Sequence, residues 1–168
     1  MHAMQDMGHP YKGFLYVGIM IVDGEPYVIE FNVRMGDPET QVVIPLLKSS
    51  LYRLISDCID GDLSSHKLVI SEKTALTVVL AAEGYPQEYN KGMVVRGLDS
   101  LGSEMIFHAG TKILNDEFVT SGGRVLNVVG FGDDLKTAIK HAYKVVDKIN
   151  FDEKFFRKDI GKKGLSYK

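Results

Sequence analysis

The sequence has almost no cysteine and no tryptophan, and its 168 residues include a single cysteine, Cys58. One cysteine cannot form an internal disulfide, which excludes the small secreted domains that disulfides hold together. Leu54, Ile55 and Ile59 surround Cys58 at helical spacing, and this pattern favours a buried thiol on an apolar helix face over a nucleophile. The cysteine content therefore indicates a cytoplasmic protein.

Long apolar runs and a large excess of one charge are also absent. The longest apolar stretches, such as 77–82, are far shorter than the roughly 20 residues that cross a bilayer. His2, Gln5 and Asp6 interrupt any apolar core of a signal peptide. The formal net charge of -2 supplies no broad positive field, so nucleic acid and membrane are not expected partners. The length suits one ordinary domain or two small ones that share a core.

A β-hairpin is predicted near the start of the chain. Aromatic and β-branched residues are frequent in 14–22 and again in 27–33, which is typical of two strands. Asp23 and Gly24 separate these segments, and an Asp-Gly pair readily adopts the positive φ angles of a tight two-residue turn.

A helix is predicted to follow the hairpin, over 38–60. Asp37 can cap it, and Pro38 suits its first position. Apolar residues then recur at spacings of three and four, and Gly61 offers a stop. Because Pro45 lies inside this segment, we expect a kink or a late start there.

The polar segment 61–67 favours a boundary near His66, which gives predicted domains of 1–65 and 66–168. The second domain is predicted to be a small antiparallel sheet or half-barrel covered by a helix that Asp133 caps. The fold class is therefore α+β. The predicted strands of the second domain are 75–82, 93–97, 104–109, 117–120 and 124–131.

A row of polar residues on the second hairpin strand is the most informative feature. Glu30, Asn32 and Arg34 alternate along the chain, so their side chains are predicted to project from one strand face. A carboxylate and an amide oxygen suit Mg2+, and Arg34 adds a fixed positive charge. The alternative is a solvated sheet face without a ligand. The opposite face is predicted to anchor the strand in a core through Ile29, Phe31 and Val33.

Two long stretches carry a family resemblance. Residues 11–20 (YKGFLYVGIM) and 30–41 (EFNVRMGDPETQ) resemble the end of the ATP-grasp domain in the phosphoribosylamine-glycine ligase family. Further motifs resemble the C-terminal domain of the same family, and the resemblance extends from about Tyr11 to Gly161. The motifs that resemble the C-terminal domain are 84–86 (GYP), 91–92 (KG), 107–111 (FHAGT), 120–126 (TSGGRVL) and 157–161 (RKDIG).

The resemblance implies roles for residues in both parts of the chain. In this family the positions of Glu30 and Asn32 hold Mg2+ or Mn2+ against the phosphates of ATP, and Arg34 is expected to act in catalysis. Asp37 and Glu39 are expected to bind substrate, the alternative being helix capping with a local ion pair.

Arg124 is also expected to bind substrate, because Gly122 and Gly123 could form a tight turn that aims backbone amides and the guanidinium at an anion. The alternative there is an ordinary hairpin turn. His108 is expected to be a hydrogen-bonded structural residue.

The family's complete enzyme joins glycine to 5-phosphoribosylamine at the expense of ATP, in purine biosynthesis. The resemblance implies that this chain is a C-terminal fragment that needs N-terminal and ATP-binding domains, and that its active site alone is incomplete. Alternatives are a fragment of another ATP-grasp carboxylate-amine ligase, a non-catalytic assembly module, and an inert folded fragment.

Overall fold

The computed structural model describes residues 2–65 and 67–166, and the chain forms two compact units. The first unit comprises Met1–Thr40 and Leu47–Ser71, and the second comprises Gln41–Leu46 and Glu72–Lys168. The predicted boundary residue His66 lies outside the described residues, so the predicted domain division stays a prediction. No described helix has the length and hydropathy needed to span a membrane.

The predicted hairpin is confirmed in the first unit. After a short helix α1 (His2–Asp6), strands β1 (Tyr16–Val22) and β2 (Glu25–Asn32) pair antiparallel. Asp23 and Gly24 connect them with φ angles of 53° and 86°, the left-handed conformations that a two-residue hairpin turn requires.

The apolar face of this hairpin is exposed, which corrects the expectation of a core contact. Ile29, Phe31 and Val33 are 61%, 66% and 72% exposed. A two-stranded hairpin has no second layer of its own to cover such a face. The strand register skips Ile29 at a β-bulge, and Val33 lies beyond the end of β2, so alternation alone fixes neither a shared face for these residues nor their burial.

Two helices replace the single helix predicted over 38–60. Helix α2 (Thr40–Leu46) contains Pro45, and helix α3 (Leu51–Asp60) follows it. Proline lacks the amide that would continue the helix and clashes with the preceding turn. Ser50 therefore starts α3 as a new N-cap, its Oγ accepting a 3.4 Å hydrogen bond from the Arg53 amide.

The ends of these helices differ in how well the sequence predicts them. Gly61 ends α3 with a φ of 84°, as predicted. Asp37, by contrast, does not cap a helix that begins at Pro38, because residues 37–39 form a turn and α2 begins only at Thr40. The Thr40 amide donates a 3.0 Å hydrogen bond to the carbonyl of Gly36.

The second unit is a small antiparallel sheet covered by a helix, as predicted. Four strands pair in the order β4-β7-β3-β8, and β5 and β6 form a separate pair. Its elements are β3 (Thr74–Ala82), β4 (Met105–His108), β5 (Thr111–Leu114), β6 (Glu117–Thr120), β7 (Arg124–Gly132), α4 (Leu135–Val146) and β8 (Lys154–Phe155).

Three details of this unit differ from the prediction. Residues 93–97 make only isolated bridges, at Val94 and Arg96, and the strands β5 and β8 were not predicted. Asp134, rather than Asp133, caps α4, its Oδ1 accepting a 2.7 Å hydrogen bond from the Thr137 amide. Asp133 instead forms a 2.6 Å ion pair with Lys73.

The core of the second unit lies between α4 and the central strands. Gly130 permits this close packing, because a Cβ there would lie 2.3 Å from the Ala138 carbonyl oxygen and 2.4 Å from the Ala142 amide nitrogen. The fully buried apolar residues include Val78, Leu80, Val125, Leu126, Val128, Ala138, Ala142, Val146 and Ile149.

Candidate functional site

Glu30 and Asn32 lie side by side on one face of the hairpin, as the alternation predicts. The Asn32 amide Nδ2 donates a 2.8 Å hydrogen bond to Glu30 Oε1. The oxygens that this bond leaves unused, Glu30 Oε2 and Asn32 Oδ1, are chemically able to bind a cation. The exposed Glu30 and the half-buried Asn32 therefore place two hard oxygen donors at one point of the strand.

Arg34 is not the third member of this row. Strand β2 ends at Asn32, and the backbone bends at residues 33–34. The Arg34 guanidinium Nη1 donates a 3.1 Å hydrogen bond to the carbonyl of Met35. The strict alternation of a strand therefore stops before Arg34, and the guanidinium is held next to the following turn.

Glu39 lies in the turn at 37–39 and contacts β1 through Tyr16, a residue the sequence analysis did not select. The Tyr16 hydroxyl donates a 3.3 Å hydrogen bond to Glu39 Oε1. The charge on Glu39 raises the pKa of Tyr16 most strongly, and partial burial, the Glu39 hydrogen bond and the charge on Glu30 raise it further. Both carboxylates therefore act on one phenol. Asp37 lies in the same turn and is exposed.

Two glycines leave room for these carboxylates. Gly18 lies opposite Glu30 across the hairpin, where a Cβ would be 3.1 Å from Glu30 Cγ. Gly36 is buried, and a Cβ there would be 2.3 Å from Glu39 Oε2. Tyr16 and Gly18 alternate on β1 directly opposite Asn32 and Glu30, and this cross-strand pattern is the signal that could have identified Tyr16.

The second unit contains Arg124, which directly follows Gly122 and Gly123 in the chain. The amides of Ser121 and Gly122 donate 2.7 and 3.1 Å hydrogen bonds to the Gly110 carbonyl, so these two amides are not directed at an external anion. The turn is not an ordinary hairpin either, because β6 and β7 belong to different sheets. Arg124 itself begins β7 and is half-buried.

His108 has the structural environment that was expected. Its Nδ1 lies 2.8 Å from Thr111 Oγ1, and its ring lies at 38° to the Phe118 ring with a centroid distance of 4.7 Å. The imidazole therefore contacts one residue of β5 and one of β6.

Comparison with known proteins identifies the family. Residues 75–163 match the family model described as phosphoribosylglycinamide synthetase, C domain, and residues 1–40 match the ATP-grasp (A) domain of the same synthetase. The chain belongs to the phosphoribosylglycinamide synthetase family. The resemblance predicted from the two sequence stretches is thereby confirmed.

Individual relatives agree with this assignment. The chain is 43% identical over 159 residues to phosphoribosylamine-glycine ligase of Caldanaerobacter subterraneus subsp. tengcongensis, covering 95% of this chain and 38% of that protein. It is 45% identical to the trifunctional purine biosynthetic protein adenosine-3 of Homo sapiens, covering 98% of this chain and 17% of that protein.

A solved structure confirms the fold. The crystal structure of phosphoribosylamine-glycine ligase from Thermotoga maritima matches with a TM-score of 0.83 and 35% identity, covering 94% of this chain and 39% of that chain. The chain thus spans less than two fifths of the length of these single-function ligases. The predicted α+β class of a C-terminal ATP-grasp region is confirmed.

Proposed function

We propose that the chain is the metal-binding and C-terminal part of an ATP-dependent ligase that joins glycine to 5-phosphoribosylamine in purine biosynthesis. The family assignment and the names of the relatives support this reaction. The observation that carries the proposal within this chain is the adjacency of Glu30 and Asn32 on one strand face. A cytoplasmic location is part of the proposal.

The residues present fit a bound Mg2+ or Mn2+. Among the described residues no group of three or more His, Cys, Asp or Glu could hold a metal ion. Mg2+ commonly binds only one or two protein oxygens and completes its coordination with water and substrate phosphates, which Glu30 and Asn32 can satisfy. The raised pKa of Tyr16, caused first by Glu39 and also by Glu30, marks a negative potential that favours a cation.

The metal, when bound, neutralises charge on the ATP phosphates during phosphoryl transfer. We propose that Glu30 and Asn32 hold it and that Arg34 adds a fixed positive charge for a phosphate or carboxylate. Asp37, Glu39 and Arg124 are proposed to bind substrate. Residues 1–65 are proposed to be the end of the ATP-grasp domain and 66–168 the C-terminal domain.

The proposed reaction needs no nucleophilic side chain. The glycine carboxylate attacks the γ-phosphorus of ATP and releases ADP, which gives an acyl phosphate. The amine of 5-phosphoribosylamine then attacks the acyl carbon, phosphate leaves, and the amine loses a proton to give glycinamide ribonucleotide. The substrate amine is itself the nucleophile, so the protein's task is positioning and charge stabilisation.

Ligase turnover tests this proposal. ADP release that depends on glycine, phosphoribosylamine and Mg2+ is measured for this chain alone and for a fusion to the upstream part of the Caldanaerobacter ligase. Turnover in the fusion but not in the chain alone supports the proposal that this chain needs further domains, which bind the nucleotide. A folded fusion with no turnover would contradict the proposed reaction, and turnover in the chain alone would contradict its dependence on further domains.

A second candidate function is an assembly module that docks on a companion polypeptide. The exposure of the apolar hairpin face, with Phe31 at 66%, favours this candidate because such faces mark interaction surfaces. Association of the chain with the separately expressed upstream part of a relative would support it. A monodisperse monomer in that mixture would contradict it.

A further inference from the structure

Tyr16, Gly36 and Glu39 pack against one another beside the Glu30–Asn32 pair. The Tyr16 hydroxyl donates to Glu39 Oε1 at 3.3 Å. A Cβ on Gly36 would lie 2.3 Å from Glu39 Oε2 and 3.2 Å from the Tyr16 ring carbon Cε2. The Glu39 carboxylate is therefore held between a phenol on β1 and the bare backbone of the turn.

The backbone of this turn is fixed independently of Glu39. The Gly36 carbonyl accepts hydrogen bonds from both the amide and the hydroxyl of Thr40. Because Gly36 is the first residue of this hydrogen-bonded turn, the position of Glu39 within it is restricted. The hydrogen bond from the Tyr16 hydroxyl then orients the Glu39 carboxylate.

Tyr16 also connects this turn to the proposed metal ligands. Its Cα is the cross-strand partner of the Asn32 Cα, and directly opposed residues have side chains on the same face of a hairpin. Two negative groups near one site repel each other, and without a donor to hold it the Glu39 side chain would turn towards solvent. A divalent cation would offset that repulsion.

We propose that Tyr16 is a positioning residue that holds Glu39 as a third oxygen donor of the divalent-cation site formed by Glu30 and Asn32. The proposal rests on the metal role given above to Glu30 and Asn32. The substrate contact proposed above for Glu39 is then made through the cation, because a carboxylate repels a substrate phosphate unless a cation lies between them. A Cβ on Gly36 would displace the Glu39 carboxylate, which is the free end of a flexible side chain, from this position.

Paramagnetic broadening by Mn2+ tests this assignment on the chain itself. The side-chain carboxyl and carboxamide 13C signals of the 13C-labelled protein are followed during Mn2+ addition for wild type, Tyr16→Phe and the control Tyr27→Phe. Tyr27 lies on the same hairpin and is exposed, so its variant removes a hydroxyl without touching Glu39. In wild type the side-chain signals of Glu30, Asn32 and Glu39 are expected to broaden together.

In Tyr16→Phe the Glu39 broadening is expected to fall while that of Glu30 and Asn32 persists. The Mn2+ dissociation constant should rise about threefold, the loss expected for one exposed hydrogen bond. Tyr27→Phe should behave as wild type. Retained cross-strand contacts between residue 16 and Asn32 show that the hairpin is intact.

Glu39→Gln provides a second variant, because glutamine still accepts the Tyr16 hydrogen bond but lacks the charge. It should keep the turn in place and weaken Mn2+ binding. Broadening at Glu30 and Asn32 with none at Glu39, or a Tyr16→Phe profile equal to wild type, would overturn the positioning role alone. An absence of broadening at Glu30 and Asn32 in wild type would overturn the metal site itself.

Discussion

The Asn32 amide Nδ2 donates a 2.8 Å hydrogen bond to Glu30 Oε1, two residues earlier on the same strand face. This bond aligns the carboxylate with the amide before any ligand is present. Preorganised ligands lose less conformational freedom on binding than mobile ones. The pair is therefore suited to hold a cation.

Replacement of either member of this pair should weaken metal binding without unfolding the protein. Glu30→Gln and Asn32→Ala are each expected to raise the Mn2+ dissociation constant by at least about tenfold. The control is Glu25→Gln, a second exposed carboxylate on β2. Titration calorimetry measures the affinities, and equal affinities for Glu30→Gln and Glu25→Gln would contradict the site.

The sheet–helix contact of the second unit should not tolerate a side chain at Gly130. Gly130→Ala places a methyl group 2.3 Å from the Ala138 carbonyl oxygen, so the free energy of unfolding should fall by about 1–3 kcal/mol. Gly102→Ala is the matched control, because its nearest atom would be 3.7 Å away. Urea denaturation measures both, and similar values for the two variants would refute the close packing.

Asn127 is 2% exposed, and its Oδ1 has no hydrogen-bond partner among the described residues. An unsatisfied buried acceptor destabilises a folded protein. Asn127→Val, which suits a strand, should raise the free energy of unfolding by about 1 kcal/mol. Asn127→Asp should lower it at neutral pH, because it buries a charge. A loss of stability in the valine variant would show that the amide makes a favourable interaction.

The two adjacent aspartates before α4 should contribute differently to thermal stability. Asp134 accepts the Thr137 amide bond, whereas Asp133 makes an exposed ion pair with Lys73. Asp134→Ala should therefore lower the thermal midpoint clearly, and Asp133→Ala should lower it by less than half as much. Scanning calorimetry at neutral pH measures the difference, and the reverse order would restore Asp133 as the cap.

Ionised Glu104 should stabilise the second unit, and this stabilisation should be lost at acidic pH. The hydrogen bond from Lys148, followed by backbone hydrogen bonds, lowers the pKa of Glu104 to about 2. A carboxyl group whose pKa is depressed by folding stabilises the folded state above its unfolded pKa of about 4.3. That stabilisation is lost as the pH falls towards 2.

Urea denaturation across this pH range checks the effect. Glu104→Gln should be less stable than wild type at pH above the unfolded value, with the difference shrinking as the pH falls. Glu117→Gln, which changes an exposed carboxylate on β6, is measured beside it as the matched control. A pH-independent difference for Glu104→Gln would mean that the charge plays no part.

Features fixed by neighbouring residues were predictable from the sequence. The Asp23-Gly24 turn, the alternation of Glu30 and Asn32, and the stop at Gly61 depend on local backbone preferences, and all three are present. The confirmed family resemblance likewise depends on contiguous motifs.

Features that depend on distant partners were not predictable. Leu47, at the break between α2 and α3, bridges to Ile70, and Tyr16 reaches Glu39 across 23 positions. Asp133 likewise pairs with Lys73, 60 positions earlier in the chain. Exposure of the hairpin's apolar face likewise depends on what packs against it, which alternation does not specify.

Glu30 is proposed to bind the catalytic metal of a glycine ligase. Turnover of the fusion to the upstream part of the Caldanaerobacter ligase tests this role, with Glu30→Gln compared with Glu25→Gln. Glu30→Gln is expected to cut turnover by about 100-fold or more, with an unfolding free energy within about 0.5 kcal/mol of wild type. Equal turnover in the two variants, or an equal loss of stability and activity in Glu30→Gln, would contradict it.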